Sequence, residues 1–504
     1  MDTKPDMIRT RLSAMMFIEF FLWASWYVPL GGYANSTLKL TGAQIGWLYA
    51  TTAIAAMVSP LFVGLVADRL FATERVLGVL HVIGAVSLFL AAGQAEFSGL
   101  MTFLVINTLC FMPTLALANS LAFRNIDDRE KFSRIAVWGT IGWIISGWTV
   151  GFLIGEKTSA FFYLAGAGGL AMAVYSFTAL PHTPPKGREA AQGDVLGLGA
   201  LVLFKDPAFL VFAVCAFLIS IPLSFYFTWG NAFLVETDRP RPTALMTLCQ
   251  FSEIFVMIVM PWFISRIGLK AVLAVGMAAW AVRYLCFATL SFPLIIVGLL
   301  VHGFCYCFVF VASFIYADKK APQGMSASAQ SLVAFLIWGI GMFVGTQLAG
   351  YTATQYPPQT IVVLERAGNE EQPIVDAPLP DWSTKEEKAR LPKALRSAEE
   401  DRVAISIAEA LPAESVSFNV LSKTGEVVGS LSYSKKDLLQ ALKTADASGD
   451  GVVTSAEWRS AQAHRWPPIW LWPAGLSALA CALFWIGGRE TKPEKAQGEG
   501  APAS

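Results

Sequence analysis

Twelve long apolar runs decide what this chain can fold into. A helix needs about 20 apolar residues to cross a hydrocarbon core of about 30 Å. Inside lipid each backbone N–H and C=O must bond within the protein, so such runs form helices rather than irregular segments. The runs lie at 13–34, 44–67, 76–95, 100–123, 135–154, 159–180, 208–234, 244–265, 269–290, 292–316, 326–349 and 467–487. They predict an all-α membrane protein with twelve transmembrane helices.

The charge of the chain agrees with a membrane environment and gives no reason for a nucleic-acid partner. Charged residues make up 15% of the 504 residues and hydrophobic residues 55%, whereas soluble domains carry about 25% charged residues. Lys and Arg together number 37, and so do Asp and Glu. A net charge of zero leaves no basic excess to attract nucleic acid. The partner that composition predicts is the lipid bilayer.

The distribution of basic residues predicts which helix ends face the cytoplasm, because short cytoplasmic loops retain Lys and Arg. With the N-terminus inside, the short outer loops hold only Lys39, Lys157, Arg239 and Arg241. The inner segments then hold Lys4, Arg9, Arg11, Arg69, Arg75, Arg124, Arg129, Lys131, Lys186, Arg188, Arg266, Lys270, Lys319 and Lys320. We expect a protein of the inner, cytoplasmic-type membrane with both termini in the cytoplasm and residues 351–466 outside.

A repeated loop indicates two six-helix halves. GLVADRLFATER begins at Gly64 after the second run and PWFISRIGLK at Pro261 after the eighth, with Arg69 and Arg266 at the same offset. The predicted segments are an N-terminal half at 1–180, a cytoplasmic linker at 181–207, helices seven to eleven at 208–350, an insertion at 351–466, helix twelve at 467–487 and a cytoplasmic tail at 488–504.

The two halves, and G-x-x-x-D-R after the second run, resemble the major facilitator superfamily. Five further stretches resemble its nucleoside:proton symporters: FIEFFLWASW (17–26), MPTLALANS (112–120), VWGTIGW (137–143), QFSEIF (250–255) and AWAVRY (279–284). The resemblance implies a secondary transporter, not an enzyme, that imports nucleosides with protons. It also implies a site near the midplane, where two halves rock to alternate access. The alternatives are a transporter of sugars or other hydroxylated solutes, and a transporter-like receptor or sensor.

Ionisable residues inside the predicted helices are candidates for function, because a charge in the bilayer is costly unless it faces protein or water. They are Glu19, His81, Glu253, Arg283 and His302. A proton symporter needs a group that titrates during the cycle. We expect Glu253 to carry the proton and Glu19 to contribute, and we expect no catalytic residue.

The resemblance also implies substrate contacts. Gln250, Glu253, Thr140 and Trp143 match residues of the family's site, and its span-seven glutamine and asparagine fall on Ser224 and Phe227. Its span-five arginine falls on Ala136 and its span-ten aspartate on Cys307, so two family charges are absent. Tyr306 and Trp143 are aromatic groups on which a planar base could stack. The predicted substrate-binding residues are Thr140, Trp143, Ser224, Phe227, Gln250, Glu253 and Tyr306, in a monomer.

The insertion is predicted to be a small α+β extramembrane domain. Residues 383–410 have the pattern of a charged amphipathic helix, and 417–434 alternate around Gly425 as in a hairpin. The segment then follows the helix–loop–helix plan of an EF-hand, with the 12-residue loop at 446–457. No second hand is visible.

The loop has a calcium ligand type at each position that an EF-hand uses. Gly451 allows the turn at position 6, and Glu457 is the bidentate ligand at position 12. The predicted ligands are Asp446, Ser448, Asp450, Val452 through its carbonyl, Thr454 and Glu457. Three carboxylates in an isolated hand predict weak binding, about 0.1–1 mM. We therefore expect Ca²⁺ as a structural cofactor of the outer domain.

Overall fold

The structure is a computed structural model that describes residues 3–62, 71–126, 129–185, 198–323, 325–358, 363–367, 370–374, 402–410, 415–421, 427–446, 448–454, 457–458, 461 and 463–488. These residues belong to two units. The first comprises Met1–Val235, Arg239–Thr354 and Pro467–Ser504, and the second comprises Glu236–Asp238 and Gln355–Trp466. The predicted loop motif at Arg69 and most of the predicted helix at 383–410 lie outside the described residues.

The first unit is helical. Its first half contains α1 (Thr3–Tyr27), α2 (Leu30–Ser36), α3 (Gly42–Phe62), α4 (Thr73–Ala91), α5 (Phe97–Arg124), α6 (Arg129–Trp148) and α7 (Ala160–Thr178). The second half contains α8 (Pro207–Glu236), α9 (Pro242–Met246), α10 (Leu248–Ala288), α11 (Phe292–Leu300), α12 (His302–Tyr306), α13 (Ala312–Lys320), α14 (Ser326–Ala334) and α15 (Met342–Gln355). Short π-helical turns continue α6, α12 and α14. The last helix, Trp466–Gly487, is α18 in chain order.

Ten helical stretches in the described part of the chain are long and apolar enough to cross a membrane. The runs predicted at 244–265 and 269–290 lie together in α10, whose backbone leaves helical geometry only at Gly268, with φ of 78°. Glycine adopts this left-handed conformation without steric cost. The break falls within PWFISRIGLK, where a loop was expected. Twelve separate spans therefore stay a prediction.

The helices of the first half pack as a bundle that brings α1 and α6 together. α1 packs against α6 and α7, and α4 packs against α5 and α7. The buried residues between them include Leu12, Met15, Leu121 and Met172. Gly142 permits the close approach of α6 to α1, because a Cβ there would lie 3.2 Å from the Cα and 3.1 Å from the carbonyl carbon of Phe17. This contact fixes the position of Trp143, the next residue on α6.

Helices α10 and α12 make a corresponding close contact in the second half. A Cβ at Gly303 would overlap the backbone of Ser252. The backbone N–H of Gly303 also donates to Ser252 Oγ at 3.1 Å. Because His302 precedes Gly303 and Glu253 follows Ser252, the contact brings these two side chains together.

The second unit contains strands in its described residues. β1 (Val363–Ala367), β2 (Glu370–Ile374), β4 (Ser415–Leu421) and β5 (Val427–Ser434) form an antiparallel sheet in the order β2-β1-β5-β4. The pairing of β4 with β5 confirms the hairpin predicted at 417–434, whose turn at Gly425 lies outside the described residues. Helix α17 (Lys435–Ala445), which leads into the 446–457 loop, is also as predicted.

The described part of the predicted helix at 383–410 begins at residue 402, and the prediction is wrong for its first three residues. Residues Arg402–Ala404 form strand β3, and only Ile405–Glu409 form a helix, α16. β3 pairs antiparallel with β6 (Val452–Thr454), with Val403 opposite Val453. Both valines are buried, at 2% and 0% exposure. The strand prevails because its partner, inside the 446–457 loop, satisfies its backbone and covers Val403, and a helical pattern cannot reveal such a distant partner.

Candidate substrate and proton-coupling site

A cavity in the first unit receives side chains from both halves. Its lining residues are Val28, Trp143, Gly147, Tyr226, Phe227, Thr243, Met246, Thr247 and Gln250. A concave, mostly apolar site with a few polar groups is the usual form of a small-molecule site.

Three of the predicted substrate residues line this cavity, namely Trp143, Phe227 and Gln250. Trp143 meets the ring of Trp23 edge to face at 5.4 Å. Phe227 lies 5.3 Å from the ring of Tyr27, so an aromatic group from each half borders the space. Planar aromatic walls are suited to a base, which can stack on them.

Gln250 presents a polar atom without a protein partner. Its side chain is buried, at 8% exposure. Among the described residues, no hydrogen-bond donor reaches its Oε1 atom. A buried amide oxygen that has no donor costs free energy, about 1–3 kcal/mol. The atom is therefore available to a hydroxyl or amino group of a ligand.

The other four predicted contacts lie outside the cavity lining, and three of them are Thr140, Ser224 and Tyr306. Thr140 is half-buried, one turn before Trp143 on α6. Ser224 is fully buried and donates to the carbonyl oxygens of Ser220 and Met342, at 2.9 and 3.3 Å. In this structure Ser224 therefore joins α8 to the start of α15. Tyr306 lies beside the ring of His302, with 5.9 Å between ring centroids.

Glu253, the predicted proton carrier, is paired with a histidine. Its Oε1 atom lies 2.8 Å from Nε2 of His302, and its side chain is 15% exposed. His302 in turn contacts Arg283 Nη1 through its Nδ1 atom. The imidazole of His302 therefore lies between Glu253 and Arg283. Glu253 is one helical turn from Gln250, so the charged group lies next to a lining residue.

Glu19 is also paired with a histidine, in the first half. Its Oε2 atom lies 2.9 Å from His81 Nε2, and its Oε1 atom accepts a hydrogen bond of 2.5 Å from Thr114. Glu19 is 0% exposed and His81 is 3% exposed. Glu19 therefore connects α1 with α4 and α5. Neither Glu19 nor Glu253 is among the lining residues.

The two positions where family charges are absent have different surroundings. Cys307 is buried and its thiol points to the carbonyl oxygen of Glu253, at 3.6 Å. Ala136 is half-buried on α6. The positive charge near Glu253 comes instead from Arg283 on α10. The site therefore retains one cation and one acid.

Sequence reasoning named His302 and His81 as ionisable groups but assigned them no role. Their signal was a histidine at bilayer depth. The lining residues Tyr226, Thr243 and Thr247 carried no such signal, because tyrosine and threonine are common in membrane helices. Position in the fold alone identifies them.

Two features of the described residues of the 446–457 loop agree with the predicted EF-hand. Gly451, at position 6, has φ of 77°. The Asp446 carboxylate accepts bonds from the N–H groups of Gly449 and Gly451, at 2.7 and 2.9 Å. Residues 447, 455 and 456 lie outside the described residues. The donor types and the turn therefore fit calcium.

The acidic ligand at position 12 is engaged with the loop itself. Glu457 accepts bonds from the N–H and hydroxyl of Thr454, at 2.9 and 2.8 Å, and from the N–H of Ser448 at 3.1 Å. These bonds, that of the Thr454 N–H foremost, lower the pKa of Glu457. No three His, Cys, Asp or Glu residues of the described chain are grouped to hold a metal. Calcium would therefore have to draw Glu457 away from Thr454.

The geometry defines a membrane transporter with a site between two helical halves, and comparison with known proteins identifies its family. Residues 7–365 match the Nucleoside H+ symporter family. The putative nucleoside transporter YegT of Escherichia coli K12 is 42% identical over 356 residues, which cover 68% of this chain and 83% of that one. Xanthosine permease of the same organism is 32% identical, covering 68% and 87%.

A solved structure agrees with these relatives. The crystal structure of the nucleoside transporter NupG superposes with a TM-score of 0.65 at 29% identity, covering 69% of this chain and 91% of that chain. The chain therefore belongs to the nucleoside H+ symporter family. It is a multi-pass membrane transporter with a major-facilitator-like fold, not an enzyme.

Proposed function

We propose that this protein imports nucleosides together with protons by alternating access. The observation that supports the substrate most is the unpartnered Oε1 atom of Gln250 in a cavity bordered by Trp143 and Phe227. A ribose hydroxyl can donate to that oxygen while the base stacks on an aromatic ring. Thr140, Ser224 and Tyr306 complete the proposed binding region, and sugars are the runner-up substrates.

We propose further that Glu253 carries the coupled proton. A carboxylic acid that is mostly buried, faces a histidine and lies one turn from a lining residue can change its protonation as access alternates. Glu19 is the second candidate, because its pair with His81 is the corresponding feature of the first half.

The test of this function is uptake into proteoliposomes of labelled nucleosides and sugars, with and without an inward proton gradient. We predict gradient-driven accumulation of nucleosides by the wild type. Glu253→Gln should lose accumulation at least tenfold and retain exchange, because glutamine keeps the hydrogen-bonding shape but cannot titrate. Accumulation at the wild-type level in this variant would refute Glu253 as carrier. Glu19→Gln, measured alongside, decides between the two acids.

The topology that we propose has twelve spans. It counts α3 as a span and counts α10 as two spans separated at Gly268. Both termini are then cytoplasmic and the insertion is extracytoplasmic, as the basic residues predict. We also propose that the loop 446–457 of this outer α+β domain binds one Ca²⁺ through Asp446, Ser448, Asp450, Val452, Thr454 and Glu457. In this monomer the ion would stabilise the outer domain.

A further inference from the structure

The side chains of Glu253, His302 and Arg283 form one chain of contacts. Glu253 Oε1 lies 2.8 Å from His302 Nε2, and His302 Nδ1 contacts Arg283 Nη1. Arg283 is 0% exposed and His302 is 2% exposed. Water therefore does not separate the charged groups, and the imidazole is the connection between them.

The contact with Arg283 decides which nitrogen of His302 carries hydrogen. A guanidinium has only donors, so Nδ1 must accept and cannot carry a proton. In a neutral imidazole the hydrogen then lies on Nε2, which faces the Glu253 carboxylate. A second proton on the ring would place an N–H against the guanidinium. His302 is therefore neutral, and its Nε2–H group lies beside the Glu253 carboxyl group.

The other titratable groups around this chain have no charge in their protonated forms. They are the phenols of Tyr226 on α8, Tyr284 on α10 and Tyr306 on α12, and the thiols of Cys249, Cys305 and Cys307. The ring of Tyr226 lies 3.9 Å from Arg283 Cζ, and Arg283 Nη2 reaches Cys249 Sγ at 3.6 Å. Arg283 thus supplies the positive charge that balances an ionised Glu253.

We propose that His302 is a positioning residue for proton coupling. Its imidazole contacts both Arg283 and Glu253 and so fixes the orientation of the Glu253 carboxyl group relative to the Arg283 guanidinium. The inference rests on the proposed function of Glu253. Because the Nε2–H group covers Oε1, the coupled proton binds Oε2 of Glu253. When this proton binds, the net charge of Glu253, His302 and Arg283 together changes from zero to plus one. That change in a buried site lets proton occupancy favour one access state over the other.

The test compares two replacements of His302. Glutamine can replace the bridge, because its amide oxygen accepts from Arg283 and its NH₂ group donates to Glu253. Leucine fills space without either bond. We expect His302→Gln to keep at least a third of gradient-driven accumulation. His302→Leu should lose at least tenfold while keeping exchange, and its pH for half-maximal accumulation should rise, since the carboxylate loses a donor.

The matched control is His182→Gln, because His182 also pairs with a glutamate, Glu74 at 2.7 Å, but outside the cavity lining. It should leave accumulation unchanged. Equal accumulation and pH profile in His302→Leu and wild type would overturn the proposal. So would equal damage in the leucine and glutamine variants, which would assign His302 to packing.

A second measurement does not depend on the substrate. The melting temperature of the purified protein is followed against pH, and the step that Glu253→Gln removes is assigned to Glu253. That step should shift in His302→Leu and stay in place in His302→Gln; an unshifted step in the leucine variant contradicts the bridge. Failure of the wild type to accumulate any solute would instead contradict the proposed function and leave this measurement to decide the inference.

Discussion

At the scale of single residues, the cavity distinguishes aromatic side chains that can meet substrate from those that cannot. Trp143 lines the cavity. Trp138 lies five residues earlier on the same helix and is 44% exposed on the outside of the unit. Both are tryptophans of α6, so they form a matched pair in which only the position relative to the cavity differs.

We predict that Trp143→Ala weakens binding of nucleosides more than of sugars. Stacking of a base on an aromatic ring contributes about 1–3 kcal/mol, which corresponds to about a 5- to 150-fold increase in Kd. Calorimetric or competition binding to purified protein measures this ratio. Trp138→Ala should leave both affinities unchanged. An equal loss for nucleosides and sugars in Trp143→Ala would indicate general damage to the cavity and contradict a stacking role.

At the scale of elements, the carboxylate of Glu457 holds together the two ends of the 446–457 loop through its hydrogen bonds to Ser448 and Thr454. Thr454 and Glu457 bond to each other reciprocally, because Glu457 also donates its N–H to Thr454 Oγ1 at 3.2 Å. Such a capping box satisfies N–H groups at the start of a helix. Strand β6 ends at Thr454 and pairs with β3, so Thr454 connects the strand pair to the bonds of Glu457.

We predict that the metal-free loop loses stability in acid through Glu457. The bonds from Thr454 and Ser448 lower its pKa below the unfolded value of about 4.3. A carboxyl of lowered pKa stabilises the fold above the unfolded value, and this contribution is lost as pH falls through the folded value. Hydrogen-exchange protection of residues 435–461 in the full-length protein, corrected for the intrinsic exchange rate at each pH, should therefore fall below about pH 4.3.

Glu457→Gln should remove this acid dependence, because glutamine does not titrate. The control is Glu409→Gln, which removes an exposed carboxylate of the same unit that pairs with Lys443 at 2.7 Å. It should retain the acid dependence of the loop. A wild-type acid response in Glu457→Gln would show that other carboxyl groups hold the loop closed.

Much of the site could be predicted from sequence because its signals are local. Trp143 and Gln250 came from short motifs with a fixed place in a helix, and Phe227 came from the position that the family resemblance assigns in span seven. The bridge by His302 could not be predicted, because Glu253 and His302 are brought together by the close approach at Gly303, on another helix. Strand β3 was missed for a similar reason. Its neighbours in sequence favour a helix, whereas its hydrogen bonds come from β6, and no local pattern contains a long-range partner.

At the scale of the whole molecule, the proposed calcium ligands and the transport cavity belong to different units of the chain. The proposed ligands all lie in the second unit, and the cavity lies in the first. A bound ion stabilises the folded state by mass action. An outer domain that only folds around calcium should therefore be stabilised by calcium without a change in transport.

We predict that withdrawal of calcium from the outer side of oriented vesicles, by an impermeant chelator, lowers the melting temperature of the second unit by a few degrees. The initial rate of nucleoside uptake should stay unchanged. Chelator on the inner side should have no effect, since residues 351–466 are proposed to lie outside. Uptake that follows calcium occupancy while the first unit stays folded would contradict this and assign a gating role to the domain.

Every histidine of the chain is paired with the carboxyl group of a glutamate. The sequence contains four histidines, and they pair with Glu19, Glu74, Glu253 and Glu236 at distances between 2.7 and 2.9 Å. Selective ¹⁵N labelling of histidine therefore yields a spectrum of four imidazoles, each assignable by one substitution. His81 and His302 report from the interior of the two halves. His182 reports from its contact with Glu74 at the start of α4, and His464 reports from the second unit. A single titration of one labelled sample would follow protonation in all four places at once.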